Sequence, residues 1–427
     1  MASRAGKSIE ISTDEYVKRR AAVLRALKGS VGVVSSGDGG GSRLGRPRSD
    51  DHFFYLTGLR HEVGAHVLFD PSAPDARRRC VLFLKPRDPD LEVWDGRRDP
   101  IGDELRSRLG FERMMRTWAM PRALSEGARR TKRLACLHAF AAHTQPVSTD
   151  LALFRRVSER MVGVSIEDRT EVLPRLRSVK SAGERRIMQR AIDITRDAFE
   201  AAAGVVRPGV SEAEVQTTIE HAFRSGGGVG PSFDIIAAGG VNATVLHYIE
   251  NEDDLRDGDL MLIDHGVEYH GYASDITRCL PVSGRFTARQ REVYNVVLKA
   301  QRASIRAVKP GALMSQVDAA ARKIIDAAGF GDTFVHGIGH HLGIAVHDVD
   351  PDTPLKPGMV VTIEPGVYLE DEAIGVRLED DVLVTSDGRK NLSSAIPIEA
   401  DDIEALMAKS RGHAPRGKRT RRPRQKA

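Results

Sequence analysis

Two stretches of the chain repeat one plan, in which a short apolar run ends on an acid, turns, and returns to a second acid. Leu260-Met-Leu-Ile runs into Asp264, turns near His270-Gly271, and comes back through Asp275. Met359-Val-Val-Thr-Ile runs into Glu364, and Ile374-Gly-Val-Arg-Leu returns to Glu379. Short apolar runs bounded by turn formers predict strands, so each stretch is expected to be a hairpin. Counted outward from the first turn, Asp264 and Asp275 fall within about a residue of being cross-strand partners, whose Cβ atoms lie roughly 5 Å apart. Between and before the hairpins the period changes to that of helices. Ser181-Ala-Gly-Glu184 and Ser211-Glu-Ala-Glu214 are capping boxes. Ile187, Ala191, Ile194 and Ala198 follow the first, and Val215, Ile219, Ala222 and Phe223 the second. Pro208-Gly209 and Gly226 to Gly230 end these helices, and further helices are expected from Thr287 and over Met314 to Ala328. Helices alternating with hairpins predict an α+β domain with helices backing a mostly antiparallel sheet.

The first 165 residues read differently. A helix is expected over Glu15 to Leu27 and a strand at Val31-Gly-Val-Val. Asp51 to Leu59, Ala65 to Asp70 and Cys80 to Leu84 have strand character, with Pro, Asp and Gly between them. This predicts an N-terminal α/β domain over 1–165, a linker over 166–183 and a catalytic domain over 184–408. Gly37-Asp-Gly-Gly-Gly-Ser42 is glycine-rich but lacks the Lys-Ser/Thr of a phosphate loop, so a plain loop is expected.

Charge adds a fourth region. From Lys409 to the end there are nine Lys or Arg and no acid; removing those nine from the net +5 leaves the rest at −4. Residues 409–427 are therefore expected to be a basic disordered tail with weak, non-specific affinity for polyanions such as nucleic acid. Three widely spaced cysteines, Cys80, Cys136 and Cys279, suggest no disulfide framework, and the N-terminus has no apolar segment of a secretory signal. No apolar run approaches a membrane span, and a cytoplasmic protein is expected.

The candidate chemistry lies in the hairpins and in the stretch between them. Phe334-Val-His-Gly-Ile-Gly-His-His-Leu-Gly-Ile-Ala-Val-His-Asp348 carries histidines at 336, 340, 341 and 347. Imidazole suits Mn, Fe, Co or Zn and donates well to a developing oxyanion. If the segment is extended, His341 points away from its neighbour His340. Asp264, Asp275, His340, Glu364 and Glu379 thus make a set of four carboxylates and one imidazole. Four negative charges balance two divalent cations, which predicts a dinuclear site with ions about 3.5–4 Å apart and bridging carboxylates.

The sequence resembles the bacterial aminopeptidase P enzymes of the prolidase and methionine aminopeptidase superfamily. The resemblance covers residues 10 to about 408. It is carried by Leu246-His-Tyr-x-Glu-Asn-Glu, Ile263-Asp-x-Gly, Ser274-Asp-Ile-Thr-Arg, His336-Gly-x-x-His-x-Leu-Gly, Val346-His-Asp, Glu364-Pro-Gly and Arg377-x-Glu-Asp-Asp. It implies a C-terminal pita-bread metallopeptidase fold behind an N-terminal creatinase-like α/β domain. It implies Asp264, Asp275, His340, Glu364 and Glu379 as metal ligands, with Asp275 and Glu379 bridging two divalent ions, Mn first and Co, Zn or Fe as alternatives. It further implies catalytic roles for His247, His336, His347, Glu364 and Arg377, and substrate contacts for Tyr368 and Trp94. The reaction would be hydrolysis of an N-terminal Xaa-Pro bond by a metal-bridging hydroxide, with Glu364 as proton shuttle. Core packing is the default for Trp94, one of two tryptophans. The resemblance instead sends it to a neighbouring subunit's site in a homo-oligomer, a dimer or tetramer.

Two other readings compete. A prolidase would use the same ligands on Xaa-Pro dipeptides. A pita-bread protein that has lost catalysis would serve as a binding module, a reading the basic tail invites. The complete ligand set argues against the second, and the Glu92-Val-Trp-Asp-Gly-Arg-Arg segment against the first.

Overall fold

Six strands build the sheet of the first of two units into which the chain divides. The computed structural model describes residues 10–39, 47–141, 143–144 and 146–412. One unit comprises Met1–Ile187 with Gly343–Thr353, the other Met188–Leu342 with Pro354–Ala427.

In the first unit β1 (Val31–Ser35), β2 (His66–Phe69), β3 (Cys80–Leu84), β4 (Arg113–Arg116), β5 (Arg133–Cys136) and β6 (Ser165–Asp168) lie in the order β4-β3-β2-β1-β5-β6. The β1–β2 and β2–β3 pairs are antiparallel; the remaining pairs are parallel. Val31, Val33, Val81, Phe83, Leu134 and Phe154 share its core. The first helix, Thr13–Ala26, falls where its spacing predicts.

Asp51 to Leu59 does not form the expected strand. Asp51–Thr57 is a helix, because Asp50 caps it by accepting from the His52 and Phe53 amides and Gly58 closes it with φ +74°. These caps flank an aromatic run that by itself resembles a strand, and Phe53, Phe54, Tyr55 and Leu56 are all buried.

The stretch 166–183, expected as the linker, holds the end of β6 and the helix Val172–Ser178. That helix is tied to the Gly343–Thr353 segment. Asp348 receives Arg177 at 2.5 Å and Lys180 at 3.3 Å, with all three side chains buried. Trp94 lies on the helix Pro89–Asp95 and is 85 % exposed, so its default reading as core is wrong.

The second unit is helices and antiparallel ladders. Its strands are β7 (Gly230–Pro231), β8 (Ile236–Gly239), β9 (Leu260–His265), β10 (Val267–Tyr269), β11 (Tyr272–Ala273), β12 (Ile276–Pro281), β13 (Val360–Ile363), β14 (Gly366–Leu369), β15 (Ile374–Arg377), β16 (Asp380–Val384) and β17 (Arg389–Asn391). They pair as β11-β10-β7, β12-β9-β8, β13-β16-β17 and β14-β15, every pair antiparallel. The helices expected after Ser181, Ser211, Thr287 and Met314 are Ala182–Val205, Glu212–Ser225, Ala288–Ala307 and Met314–Ala327. Thr287 and Gln290 form a full capping box. The last helix, Ala400–Gly412, overruns the expected start of the tail at Lys409, anchored by fully buried Ile403 and Met407. The remainder of the tail and Gly40 to Ser42 of the glycine loop lie outside the described residues.

Candidate metal centre

The first carboxylate hairpin turns where its sequence predicts. His270 at φ +48° and Gly271 at φ +81° form the tip, both left-handed as a two-residue turn of this hand requires. The tip sets the register, pairing Tyr269 with Tyr272 and Asp264 with Thr277. Asp264 is therefore two residues from facing Asp275, not one. The two acids are diagonal neighbours on one face, a spacing of roughly 7–8 Å between Cα atoms. Opposite Asp275 sits Gly266, where a Cβ would lie 1.8 Å from the Ser274 carbonyl oxygen; only glycine fits.

The second hairpin places its acids otherwise. Ile363 pairs with Asp380 and Gly366 with Arg377. Extending either ladder sets Glu364 opposite Glu379.

Residues 338 to 340 run beside β13 as an extended edge. Thr362 donates to the His340 carbonyl at 2.9 Å and Glu364 to the Ile338 carbonyl at 2.9 Å. Gly339 makes this approach possible, since a Cβ there would stand 2.2 Å from the Thr362 carbonyl oxygen. His341 bridges to Val361 and is buried.

The His340 ring is oriented by its Nδ1–H, which donates to the His341 carbonyl at 3.1 Å. Nε2 faces Asp275 Oδ2 at 3.4 Å and Glu364 Oε1 at 3.5 Å. Ligating atoms of Asp275, His340 and Glu379 all lie within 4.8 Å of one another. Acceptors facing acceptors repel unless a proton or a cation lies among them.

Other oxygens carry the same message. Asp264 Oδ2 accepts from Arg377 Nη2 at 2.7 Å, and Glu379 Oε2 from Thr277 Oγ1 at 2.7 Å. The remaining oxygens, Asp264 Oδ1 and Glu379 Oε1, are buried without a hydrogen-bond partner. A buried unpaired carboxylate oxygen is costly, which fits a cation held there. Burial, then the charges of Asp264 and Glu364, pushes the Asp275 carboxyl well above the usual range. Burial, then Asp275 and Glu364, does the same to Glu379. Glu364 is also raised, mainly by burial. The donors are hard oxygens with one imidazole, a set that suits Mn or Zn rather than a thiolate-seeking ion.

Beside the carboxylates runs a chain of polar side chains. Arg377, buried, bonds Asp264 through Nη2 and donates to the Tyr368 hydroxyl through Nη1 at 3.0 Å. His336 donates from Nδ1 to the Gly337 carbonyl at 2.8 Å, so its Nε2 accepts from Tyr368 at 2.8 Å. Burial lowers the His336 pKa to about 4, consistent with this neutral ring. His247 is exposed on the turn after a short 3-10 helix, Gly240–Thr244. His347 is exposed on the Gly343–Thr353 segment, which groups with the first unit, as does Trp94.

Two residues quoted in the sequence motifs were given no role there. Arg278 is fully buried and donates to the Thr277 and Glu379 carbonyls at 2.9 and 2.6 Å and to Asp380 Oδ1 at 2.7 Å, joining the two hairpins. Asp381 is buried, its Oδ2 accepting from the Asp275 amide at 3.4 Å. The available signal was an arginine inside the apolar strand Ile276–Pro281, where a charge demands a partner.

Comparison with known proteins agrees with the geometry. The sequence pattern of metallopeptidase family M24 matches residues 186–386, and that of the aminopeptidase P N-terminal domain matches 16–135. An Xaa-Pro aminopeptidase of Haemophilus influenzae is 38 % identical over 399 residues, 84 % of this chain and 88 % of its own. This chain belongs to the Xaa-Pro aminopeptidases of metallopeptidase family M24. The solved aminopeptidase P from Escherichia coli with the inhibitor Pro-Leu superposes with a TM-score of 0.84 at 31 % identity, covering 94 % of this chain and 100 % of that one. An Xaa-Pro dipeptidase of Pyrococcus furiosus is 39 % identical but over 228 residues, 52 % of this chain. The aminopeptidase likeness thus spans both units, and the fold is the pita-bread metallopeptidase domain with its aminopeptidase P N-terminal domain. The enzyme is a metallo-aminopeptidase acting on peptides with proline second, and its family uses divalent metal. Among the described residues no helix is long and apolar enough to cross a membrane.

Proposed function

We propose that Asp264, Asp275, His340, Glu364 and Glu379 hold two divalent cations, Mn foremost, with Asp275 and Glu379 shared between them. The observation that carries this reading is the gathering of Asp275, His340 and Glu379 ligand atoms within 4.8 Å, beside buried Asp264 and Glu379 oxygens that have no hydrogen-bond partner. When bound, divalent cations supply Lewis acidity and a source of hydroxide at neutral pH. Glu364, its pKa raised, takes the proton of the attacking water and delivers it to the leaving proline nitrogen. His336, held neutral, keeps its Nδ1–H on the Gly337 carbonyl and takes the Tyr368 proton as a hydrogen bond at Nε2. His247, exposed, donates to the carbonyl oxygen as charge builds there. Arg377 fixes Asp264 and Tyr368 together, and Tyr368 borders the slot for the proline ring.

The exposed Trp94, with Leu91 and Val93 on the same short helix, supports a homo-oligomer in which this segment meets a second copy. Three free cysteines fit a reducing cytoplasm. The basic tail is a separate, salt-sensitive contact for polyanions; truncation after Met407 should abolish weak DNA binding at low salt and leave peptide cleavage intact. The test of the main reading compares Xaa-Pro-Yaa, Xaa-Ala-Yaa and the dipeptide Xaa-Pro with Mn-loaded protein. Release of the first residue from Xaa-Pro-Yaa alone is expected. Faster turnover of the dipeptide would replace the reading with prolidase.

A further inference from the structure

One fully buried carboxylate of the catalytic unit has no part in the metal centre. Glu212 opens the helix Glu212–Ser225, with none of its surface exposed. Its Oε1 accepts from the Gly239 amide at 2.7 Å and the Asn242 side-chain amide at 3.1 Å. Its Oε2 accepts from the Tyr248 hydroxyl at 2.9 Å and the Asp253 amide at 3.0 Å. Four donors fill the acceptor positions of its two oxygens.

These four donors come from one strap of chain, residues 239 to 253. Gly239 and Asn242 lie on its outgoing limb and Asp253 on its return; Asn242 also closes the base by donating to Asp253 Oδ2 at 2.8 Å. Asn251, buried with φ +51°, stitches the return limb by accepting from Ala237 at 2.9 Å and donating to the Ile235 carbonyl at 2.7 Å. In the middle stands His247, exposed, with Tyr248 as its immediate neighbour. Among the described residues, the Tyr248 hydroxyl is the single hydrogen bond to Glu212 from between the two limbs. Apart from it, the backbone beside His247 has the Leu246 carbonyl accepting from Arg377 Nη2 at 3.4 Å.

We infer that Glu212 is a positioning residue for the peptidase reaction, acting through the Tyr248 hydroxyl to fix the turn that carries His247, whose neighbour Leu246 is bonded to Arg377 of the centre. This rests on the reading of His247 as a donor to the substrate carbonyl. A donor that must meet a developing charge gains from being fixed beforehand, and residues that fix one typically matter by about 10- to 100-fold.

The experiment is a double-mutant cycle on Mn-loaded enzyme with Xaa-Pro-Yaa, using Tyr248→Phe, His247→Ala and both together, with melting temperature and bound metal measured in each. Tyr248→Phe removes one oxygen and keeps the ring. It should lower kcat about tenfold, with KM, metal content and melting temperature close to wild type. His247→Ala should cost more, and the double variant should be no slower than His247→Ala alone. Glu212→Gln should resemble Tyr248→Phe in kcat and in addition melt earlier, because Gln cannot accept from all four donors. Wild-type kcat in Tyr248→Phe, or a Tyr248→Phe loss that persists in full on the His247→Ala background, overturns the inference while leaving the peptidase reading intact. A His247→Ala enzyme as fast as wild type overturns both the role of His247 and its positioning by Glu212.

Discussion

The two carboxylate hairpins of the catalytic unit follow one plan in sequence and two registers in space. The first is closed by a two-residue turn and sets Asp264 and Asp275 on a diagonal. The second has a longer tip, with a 3-10 turn at Glu370–Glu372 and Ala373 at φ +50°, and sets Glu364 against Glu379 directly. The short aspartates are spread apart and the longer glutamates brought face to face. A single cation could be held by either pair; a diagonal pair over an opposed pair offers oxygens to two. Arg278 locks this difference in place by bonding the backbone of both hairpins.

The largest effect should come from removing Asp275 or Glu379, the two residues proposed to be shared between cations. Asp275→Ala and Glu379→Ala should each lose more than about 10³-fold in kcat/KM, beyond the loss of a lone transition-state donor, and elemental analysis should find fewer than two metals per chain. Two metals still bound by Asp275→Ala would end the bridging assignment. Next in size is Arg377→Ala, which strips Asp264 of its cation partner on the first hairpin only. Urea unfolding of the metal-free protein should show a loss of about 3 kcal/mol, the cost of an uncompensated buried charge.

The carboxylates should also be visible in pH dependence. Asp275 and Glu379 have folded pKa values above their ordinary 3.8 and 4.5, so the folded metal-free protein binds more protons than the unfolded chain. Stability from these groups is full below those ordinary values and is lost as pH rises through the folded ones. The metal-free enzyme should melt lower at pH 7.5 than at pH 5.5, on the order of 5 °C. Added Mn should reverse the trend, and Glu379→Gln should flatten it; a metal-free melting temperature that rises over this interval would contradict the crowding. The smallest effects lie at the tips. Gly271→Ala should cost about 1 kcal/mol and Ala373→Gly should gain a few tenths, both from left-handed backbone, with neither changing metal content.

The hairpins were legible because a tip needing left-handed residues announces itself and because acids at the ends of apolar strands have few structural reasons to be there. Their exact offset was not, since one residue in the count exchanges opposed for diagonal neighbours. Asp51–Thr57 was misread because its deciding residues, Asp50 and Gly58, flank the run rather than compose it. Arg278 and Asp381 stood in quoted motifs without a role, and Glu212 stood in a capping box, because a buried polar residue is defined by partners that lie far off in the chain, such as Asp253 for Glu212.

The grouping of Gly343–Thr353 with the first unit bears on how the chain is made. Asp348 closes on Arg177 across 171 residues of sequence. At roughly 5–20 residues per second, a ribosome reaches Asp348 on the order of ten to thirty seconds after Arg177. During that interval the first unit's sheet can form and Arg177 has Asp51 at 3.8 Å, but its closer partner and the ion pair of Lys180 wait for Asp348. The amino-terminal half of this enzyme is therefore finished late in its own synthesis, and a nascent chain arrested before residue 348 should be more open to proteolysis near Arg177 than one arrested after it.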